Sequence, residues 1–310
     1  MAFIDAHRAR FGVEPICRVL CEHGCPIAPN TYWTARQRPP SARALRDEKL
    51  KVEIARVFAD NLSVYGADKV WAQLNREGTR VARCTVERLM RVMNLQGARR
   101  GKRYRVTTMV DERQHRPADL VERVFSAPAP NRLWVADLTY VRTHAGWVYA
   151  AFIIDVFSRM VVGWQLSNSL RSTLALDALE MAIWNRERRG QSVAGLTHHT
   201  DRGSQYLSIR YSERLAESDI VASVGSKGDS YDNALAESFN SLYKWELIYP
   251  RGPWKSLDDV EFATLGYVDW FNHRRLHGEL GMVPPVEFEV TYYSQQHPAG
   301  EAVSQTSGQS

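Results

Sequence analysis

Between residues 132 and 167 the apolar positions fall into three dense runs separated by turn-forming residues. Residues 132–143, 147–157 and 160–167 are rich in Val, Ile, Trp, Tyr and Phe, with His144-Ala145-Gly146 and Ser158-Arg159 between them. That pattern predicts three successive strands. The period then changes: Leu174, Ala178, Met181 and Ala182 mark a helix over 172–189. A strand leading into Asp201, a helix over 208–218 and a short strand at Val221-Ala222-Ser223-Val224 follow. After a Gly/Ser/Asp loop (225–232) comes a helix carrying Glu237. A meander of three strands followed by alternating helix and strand predicts a mixed α/β sheet.

Upstream the spacing is helical. Leu50, Ile54, Val57 and Phe58 form one stripe, Ala67, Val70, Trp71 and Leu74 a second, and Val86, Leu89, Met90 and Met93 a third. Gly78 separates the last two, so residues 42–94 fit an all-α domain containing a helix-turn-helix. Residues 1–41 give no clear class. Cys17, Cys21 and Cys25 recur every four residues near His7 and His23, but without C-x₂-C or H-x₃₋₅-H spacing they read as packed thiols rather than zinc ligands. The expected organisation is a segment and linker over 1–41 and a helix-turn-helix domain with a basic tail over 42–105. A Pro-containing connection over 106–130 leads to the α/β core over 131–290, and a polar, disordered tail covers 291–310.

Composition narrows the function classes. The chain has 310 residues, 44% hydrophobic and 24% charged, ordinary values for a globular protein. No apolar run reaches the roughly 18 residues of a membrane span. No signal-peptide pattern opens the chain, so a cytoplasmic protein without membrane partners is expected. Charge is uneven: residues 1–130 carry 24 Lys and Arg against 14 Asp and Glu, and residues 131–310 carry 16 against 21. A basic front half suits phosphate, and an acidic rear half suits cations. Within the front half, Arg99, Arg100, Lys102, Arg103 and Arg105 lie within seven residues, a tract able to neutralise several phosphates of DNA.

Three acids stand in settings that call for an explanation. Asp137 interrupts the apolar run Leu133-Trp134-Val135-Ala136-Asp137-Leu138-Thr139-Tyr140, and a carboxylate there is costly unless paired or cation-bound. Asp201 ends one strand, and Glu237 follows it with thirty-five residues between. Three converging carboxylates would hold a hard divalent ion such as Mg²⁺ or Mn²⁺.

The motifs Trp134-Val135-Ala136-Asp137-Leu138-Thr139-Tyr140, His198-His199-Thr200-Asp201-Arg202-Gly203-Ser204-Gln205-Tyr206 and Asp232-Asn233-Ala234-Leu235-Ala236-Glu237-Ser238 resemble the retroviral-integrase type of catalytic core. More narrowly, the chain is similar to OrfB-type transposases of bacterial insertion sequences with two overlapping reading frames. The likeness extends to Phe271-Asn272-His273-Arg274-Arg275-Leu276-His277 and covers about residues 45–290. It implies a ribonuclease H-like core in which Asp137, Asp201 and Glu237 are a DDE triad, catalytic and holding two Mg²⁺ (or Mn²⁺) ions. The implied function is DNA end cleavage and strand transfer. The implied partners are double-stranded DNA (terminal inverted repeats and target) and the upstream-frame product, joined as a frameshift fusion. Because two ends must be synapsed, a homo-oligomer is expected, at work in the bacterial nucleoid. Two other readings stand beside it: a DNA-binding regulator with a decayed core, and a nuclease that cleaves without joining.

Neighbouring residues divide into several roles. The resemblance gives Lys244, two turns beyond Glu237 on the same helix face, a contact to the DNA end. Asp232 or Asn233 reads as a helix N-cap, with Asn233 a candidate support of the site. Arg275 and His277 either brace the active site or touch DNA. Asp155 is either a fourth metal-shell acid or a structural partner of Arg159 or a nearby backbone group. Alternation turns only one of His198 and His199 to the Asp201 side. The zinc module and C-terminal barrel of retroviral enzymes have no counterpart in the pattern.

Overall fold

The computed structural model describes residues 1–99, 126–200, 206, 208–224 and 234–296. Three antiparallel strands form where the β-branched and aromatic runs lie: β1 (Leu133–Thr143), β2 (Gly146–Asp155) and β3 (Val161–Ser167). β1 and β2 pair in continuous register from Trp134↔Asp155 to Thr143↔Gly146. β4 (Thr197–Thr200) then pairs in parallel with β1, from Leu133↔Thr197 to Ala136↔Thr200, and β5 (Val221–Val224) in parallel with β4. The strand order is β3-β2-β1-β4-β5. β1 is far longer than β4; among the described residues its pairing with β4 reaches Ala136, and Thr143 at its far end bridges Trp254.

Alternation sends Trp134, Ala136, Ala151, Ile153 and Val162 to one face, where α7 (Ser172–Glu187) and α8 (Ile209–Glu217) cover them through Leu174, Ala178, Leu179, Ala182, Tyr211 and Leu215. The approach of α7 depends on Gly163 of β3: a Cβ there would lie 2.2 Å from the Ala178 carbonyl oxygen. On the other face Phe152 packs edge-on against Phe239 and Tyr243, each 4.9 Å away. These belong to α9 (Ala234–Tyr243), and Phe239 in turn meets Phe271 of α11 (Leu257–His273) at 5.0 Å. Between α9 and α11 come a π-helical stretch (Lys244–Ile248) and the three-residue turn α10 (Tyr249–Arg251). The result is helix, sheet, helix in three layers, with the strand order expected of a ribonuclease H-like core.

The chain divides into two compact units, Met1–Glu53 and Ile54 onward, with the boundary inside α4 (Ala42–Asp60). In the first unit, residues for which the sequence predicted no element form α1 (Ala2–Phe11), α2 (Val13–Glu22) and α3 (Pro29–Gln37). Ile4, Val13, Ile16, Cys17 and Tyr32 make its core, so the four-residue cysteine spacing reflects helix packing only for Cys17; Cys21 and Cys25 are exposed.

The second unit contains the helix-turn-helix, with α5 (Ala67–Arg76) and α6 (Arg83–Val92) joined by a turn that Trp71 pins by donating Nε1–H to the Val81 carbonyl at 2.9 Å. Val70, Leu74, Val86, Leu89 and Met90 are buried as their spacing required. This module is fastened to the α/β core. Trp270 donates Nε1–H to Asn61 at 3.1 Å, and the Tyr65 hydroxyl accepts from Leu276 N at 2.7 Å while donating to the Arg274 carbonyl at 3.2 Å.

The tail differs from expectation. A last helix, α12 (Pro285–Gln296), runs past residue 290. It is ordered because Phe288 and Tyr292 flank Phe157 at 5.1 and 4.9 Å, and Glu289 is drawn into a buried ion pair.

Candidate active site and nucleic-acid interface

Asp137 lies where β1 runs beyond the reach of β4, one residue past the Ala136↔Thr200 pair. Its Oδ1 accepts from the Leu138 backbone N–H at 2.8 Å and its Oδ2 from Asn240 Nδ2 at 2.9 Å. Asn240 is on α9, three residues after Glu237, and residues so spaced share a helix face. The bond therefore turns the Glu237 face of α9 toward β1. Glu237 is exposed and sits in the first turn of α9. The sequence reading missed Asn240; its only signal there is the i+3 spacing from Glu237.

Asn240 has a second property. It is buried, and its Oδ1 has no hydrogen-bond partner among the described residues. A carbonyl-type oxygen beside a carboxylate is a hard donor, as are Asp137 and Glu237, so the donor set fits Mg²⁺ or Mn²⁺. Among the described residues no group of three His, Cys, Asp or Glu side chains forms a metal cluster. The third predicted acid, Asp201, lies outside them.

Lys244 begins the π-helical stretch and is half-buried. Burial lowers its pKa, and the nearby Asp137 carboxylate opposes that shift. Its ammonium sits 4.7 Å from the centre of the Tyr140 ring. The stretch after it is buried at Glu246, Leu247 and Ile248. Glu246 accepts from Arg275 Nε at 2.9 Å, Arg275 Nη2 at 2.6 Å and the Tyr267 hydroxyl at 3.0 Å. Arg275 is only 5% exposed. Through its pair with Glu246 the guanidinium is tied to the π-helical stretch that carries Lys244. His277 is also buried, and burial with the adjacent Arg275 pulls its pKa down to about 2, so the ring is neutral. Lys69, near the same group, is pulled down to about 7, chiefly by burial and then by Arg275.

Asp155 is fully buried and structural. It accepts from the backbone N–H groups of Asn131 (2.8 Å), Phe157 (3.0 Å) and Ser158 (3.0 Å). Its ionic partner is Arg186 at 3.3 Å, not Arg159, which pairs with Glu279. Arg186 also binds Glu289 through two bonds of 2.7 Å. Both strand histidines are buried core residues, though His198 Nδ1 has no hydrogen-bond partner among the described residues. His198 Nε2 meets the Tyr211 hydroxyl at 2.6 Å, and His199 Nδ1 meets Ser223 Oγ at 2.9 Å. Of the basic tract, Arg99 is exposed; Arg100, Lys102, Arg103 and Arg105, like Asp232 and Asn233, lie outside the described residues.

Family models agree with this division. An HTH-like domain matches residues 44–103, and two integrase core domain models match residues 127–230 and 218–285. A putative transposase for insertion sequence element IS986/IS6110 of Mycobacterium tuberculosis is 58% identical over 276 residues, 88% of this chain and 99% of that one. This chain belongs to the OrfB-type transposases of bacterial insertion sequences. A second family member, the transposase for insertion sequence element IS629 of Shigella sonnei, is 51% identical over 95% of this chain and 97% of its own length. Among solved structures, the HTLV-2 integrase catalytic core domain in complex with magnesium aligns at 18% identity and a TM-score of 0.40, covering 52% of this chain and 98% of that one. As a member of the transposase family with these domains, the chain is a polynucleotidyl transferase that binds DNA. Among the described residues no helix is long and apolar enough to cross a membrane.

Proposed function

We propose that this transposase nicks the ends of its own element and joins them to target DNA, with Asp137, Asp201 and Glu237 as its catalytic carboxylates holding two Mg²⁺ or Mn²⁺ ions. The observation that carries the reading is the Asn240–Asp137 hydrogen bond, which turns the Glu237 face of α9 to the strand that holds Asp137. Divalent ions bound by such carboxylates lower the pKa of an attacking hydroxyl and offset charge developing at phosphorus. In the first step water attacks the scissile phosphorus and the 3′-oxygen leaves with a proton. In the second, the freed 3′-hydroxyl attacks a target phosphorus and displaces a target 3′-oxygen.

The chain's own groups bind and orient. Leu138 N–H and Asn240 fix the rotamer of Asp137. Lys244 offers a cation to a phosphate near Asp137, and Arg99 with Arg100, Lys102, Arg103 and Arg105 grips the backbone nearer the helix-turn-helix. The working enzyme is a homo-oligomer that synapses two ends and carries the upstream-frame product as a frameshift fusion, acting at the nucleoid in the cytoplasm. A complex with two DNA ends that contained one protein chain would refute the oligomer.

The test uses oligonucleotides copied from the inverted repeats flanking the gene. Wild type, alone and as the upstream-frame fusion, is assayed for Mg²⁺-dependent nicking and joining beside Glu237→Gln. Joined product from wild type alone supports the reading. Hydrolysis without joining replaces it with a nuclease, and binding without chemistry replaces it with a regulator.

A further inference from the structure

Where β1 outruns β4, the hairpin it forms with β2 carries side chains that neither the core nor the carboxylates use. Tyr140 and Trp147 meet edge to face, 5.2 Å between ring centres with planes at 85°. They remain 39% and 44% exposed. Arg142 lies 5.0 Å over the Trp147 ring, and Lys244 lies 4.7 Å over the Tyr140 ring. Strand register sets Arg142 opposite Trp147, and period-two alternation puts Tyr140 on the same face as Arg142. Cross-strand aromatic pairs add to hairpin stability, but here Val141, Val148 and Ala150, all buried, already anchor the hairpin to the core.

Exposed rings flanked by cations match the chemistry of an unpaired nucleotide, whose base offers a π face and whose phosphate offers negative charge. A base inside a duplex offers no such face, so the ligand is a nucleotide freed from its partner. The location fits a strand entering the site, because the Lys244 ammonium that covers Tyr140 is also within reach of the Asp137 charge. We propose that Tyr140 and Trp147, with Arg142 and Lys244, form a stacking platform that holds an unpaired nucleotide at the DNA end beside the catalytic carboxylates. This rests on the proposed function and deepens it.

The test uses the full chain, without divalent metal, and two duplexes copied from the flanking inverted repeats. One is fully paired and the other mismatched at its last two pairs, and both carry terminal 2-aminopurine, whose fluorescence is quenched on stacking. Wild type should bind the mismatched end more tightly and quench it. Trp147→Ala and Tyr140→Ala should each weaken that binding by about 5- to 150-fold, the range of one lost base stack. Trp147→Phe should retain it, and Tyr140→Ile, which keeps strand preference, should behave as Tyr140→Ala. Alanine variants that bind and quench as wild type does would overturn the platform, even if wild type nicks and joins. Trp147-dependent quenching by a wild type that does no chemistry would keep the platform and overturn the catalytic reading.

Discussion

Replacing Arg275 by Met separates a brace from a DNA contact. Arg275 and Glu246 are 5% and 6% exposed, and the guanidinium supplies two of the three hydrogen bonds that Glu246 accepts, with Tyr267 the third. Removing it leaves a buried carboxylate with one hydroxyl donor, which costs about 3–5 kcal/mol. That is a large part of the roughly 5–15 kcal/mol that holds a typical domain folded. At about 2–4 °C per kcal/mol for a domain of this size, the midpoint should fall by roughly 6–20 °C. Thermal unfolding followed by circular dichroism reads this directly. The double variant Arg275→Met/Glu246→Leu removes both charges and should recover most of the loss, because an apolar pair of similar volume can replace a buried ion pair. A loss below about 1 kcal/mol in the single variant, or a double variant no better than the single, would refute the bracing role. A phosphate contact would instead lower the salt dependence of DNA binding by about one charge, and no such change is expected.

Three further outcomes follow from the same contacts. Asn240→Ala should reduce nicking by about 10- to 100-fold, as loss of a residue that orients a metal ligand does, and should raise the Mg²⁺ concentration for half-maximal rate; an unchanged Mg²⁺ titration would count against the Asn240–Asp137 clamp. Gly163→Ala forces a methyl group into the Ala178 carbonyl and should destabilise by about 1–3 kcal/mol in urea, whereas wild-type stability would show that α7 yields freely. Lys69 titrates at 10.5 when unfolded but near 7 when folded, so between those values the unfolded chain binds more protons and wild-type stability rises with pH. Lys69→Met lacks that rise, so its advantage over wild type should be largest below about pH 7 and fade toward about pH 10; a pH-independent difference would be inconsistent with a lysine whose pKa folding lowers.

The strands and their order were legible because apolar alternation is a local property. The Val221–Val224 strand and the α5–α6 spacing were read from neighbours in sequence alone. Asp137 was legible because an acid inside an apolar run is an anomaly. Partnerships across long separations were not. Nothing near Glu246 announces Arg275, and of the partners expected for Asp155 the nearby backbone groups are present but Arg159 is replaced by Arg186 on another element. Asn240 looks like any polar helix residue until β1 is placed beside it. Residues 2–11 gave no pattern because α1 has no clear apolar stripe, Ile4 being its single buried residue, whereas the stripe of α2 at Val13, Ile16 and Cys17 went unread. The helix at 291–296 was hidden by its polar composition, since tertiary contacts of Phe288, Glu289 and Tyr292 order it.

The fastening of the helix-turn-helix to the core through Trp270, Asn61 and the Tyr65 hydroxyl makes the enzyme a caliper. One jaw is the pair α5–α6, the other is the carboxylate site, and the hinge between them is filled with packed side chains rather than tether. If α5–α6 reads the element end and the carboxylates cut it, as proposed, the interval from the bases read to the phosphate cut is a dimension of the protein, not of the polypeptide joining its parts. On that reading, lengthening the connection over 106–130 should leave the cut in place, and a new element end should be adopted only if its cleavage point kept the same interval from its recognition bases.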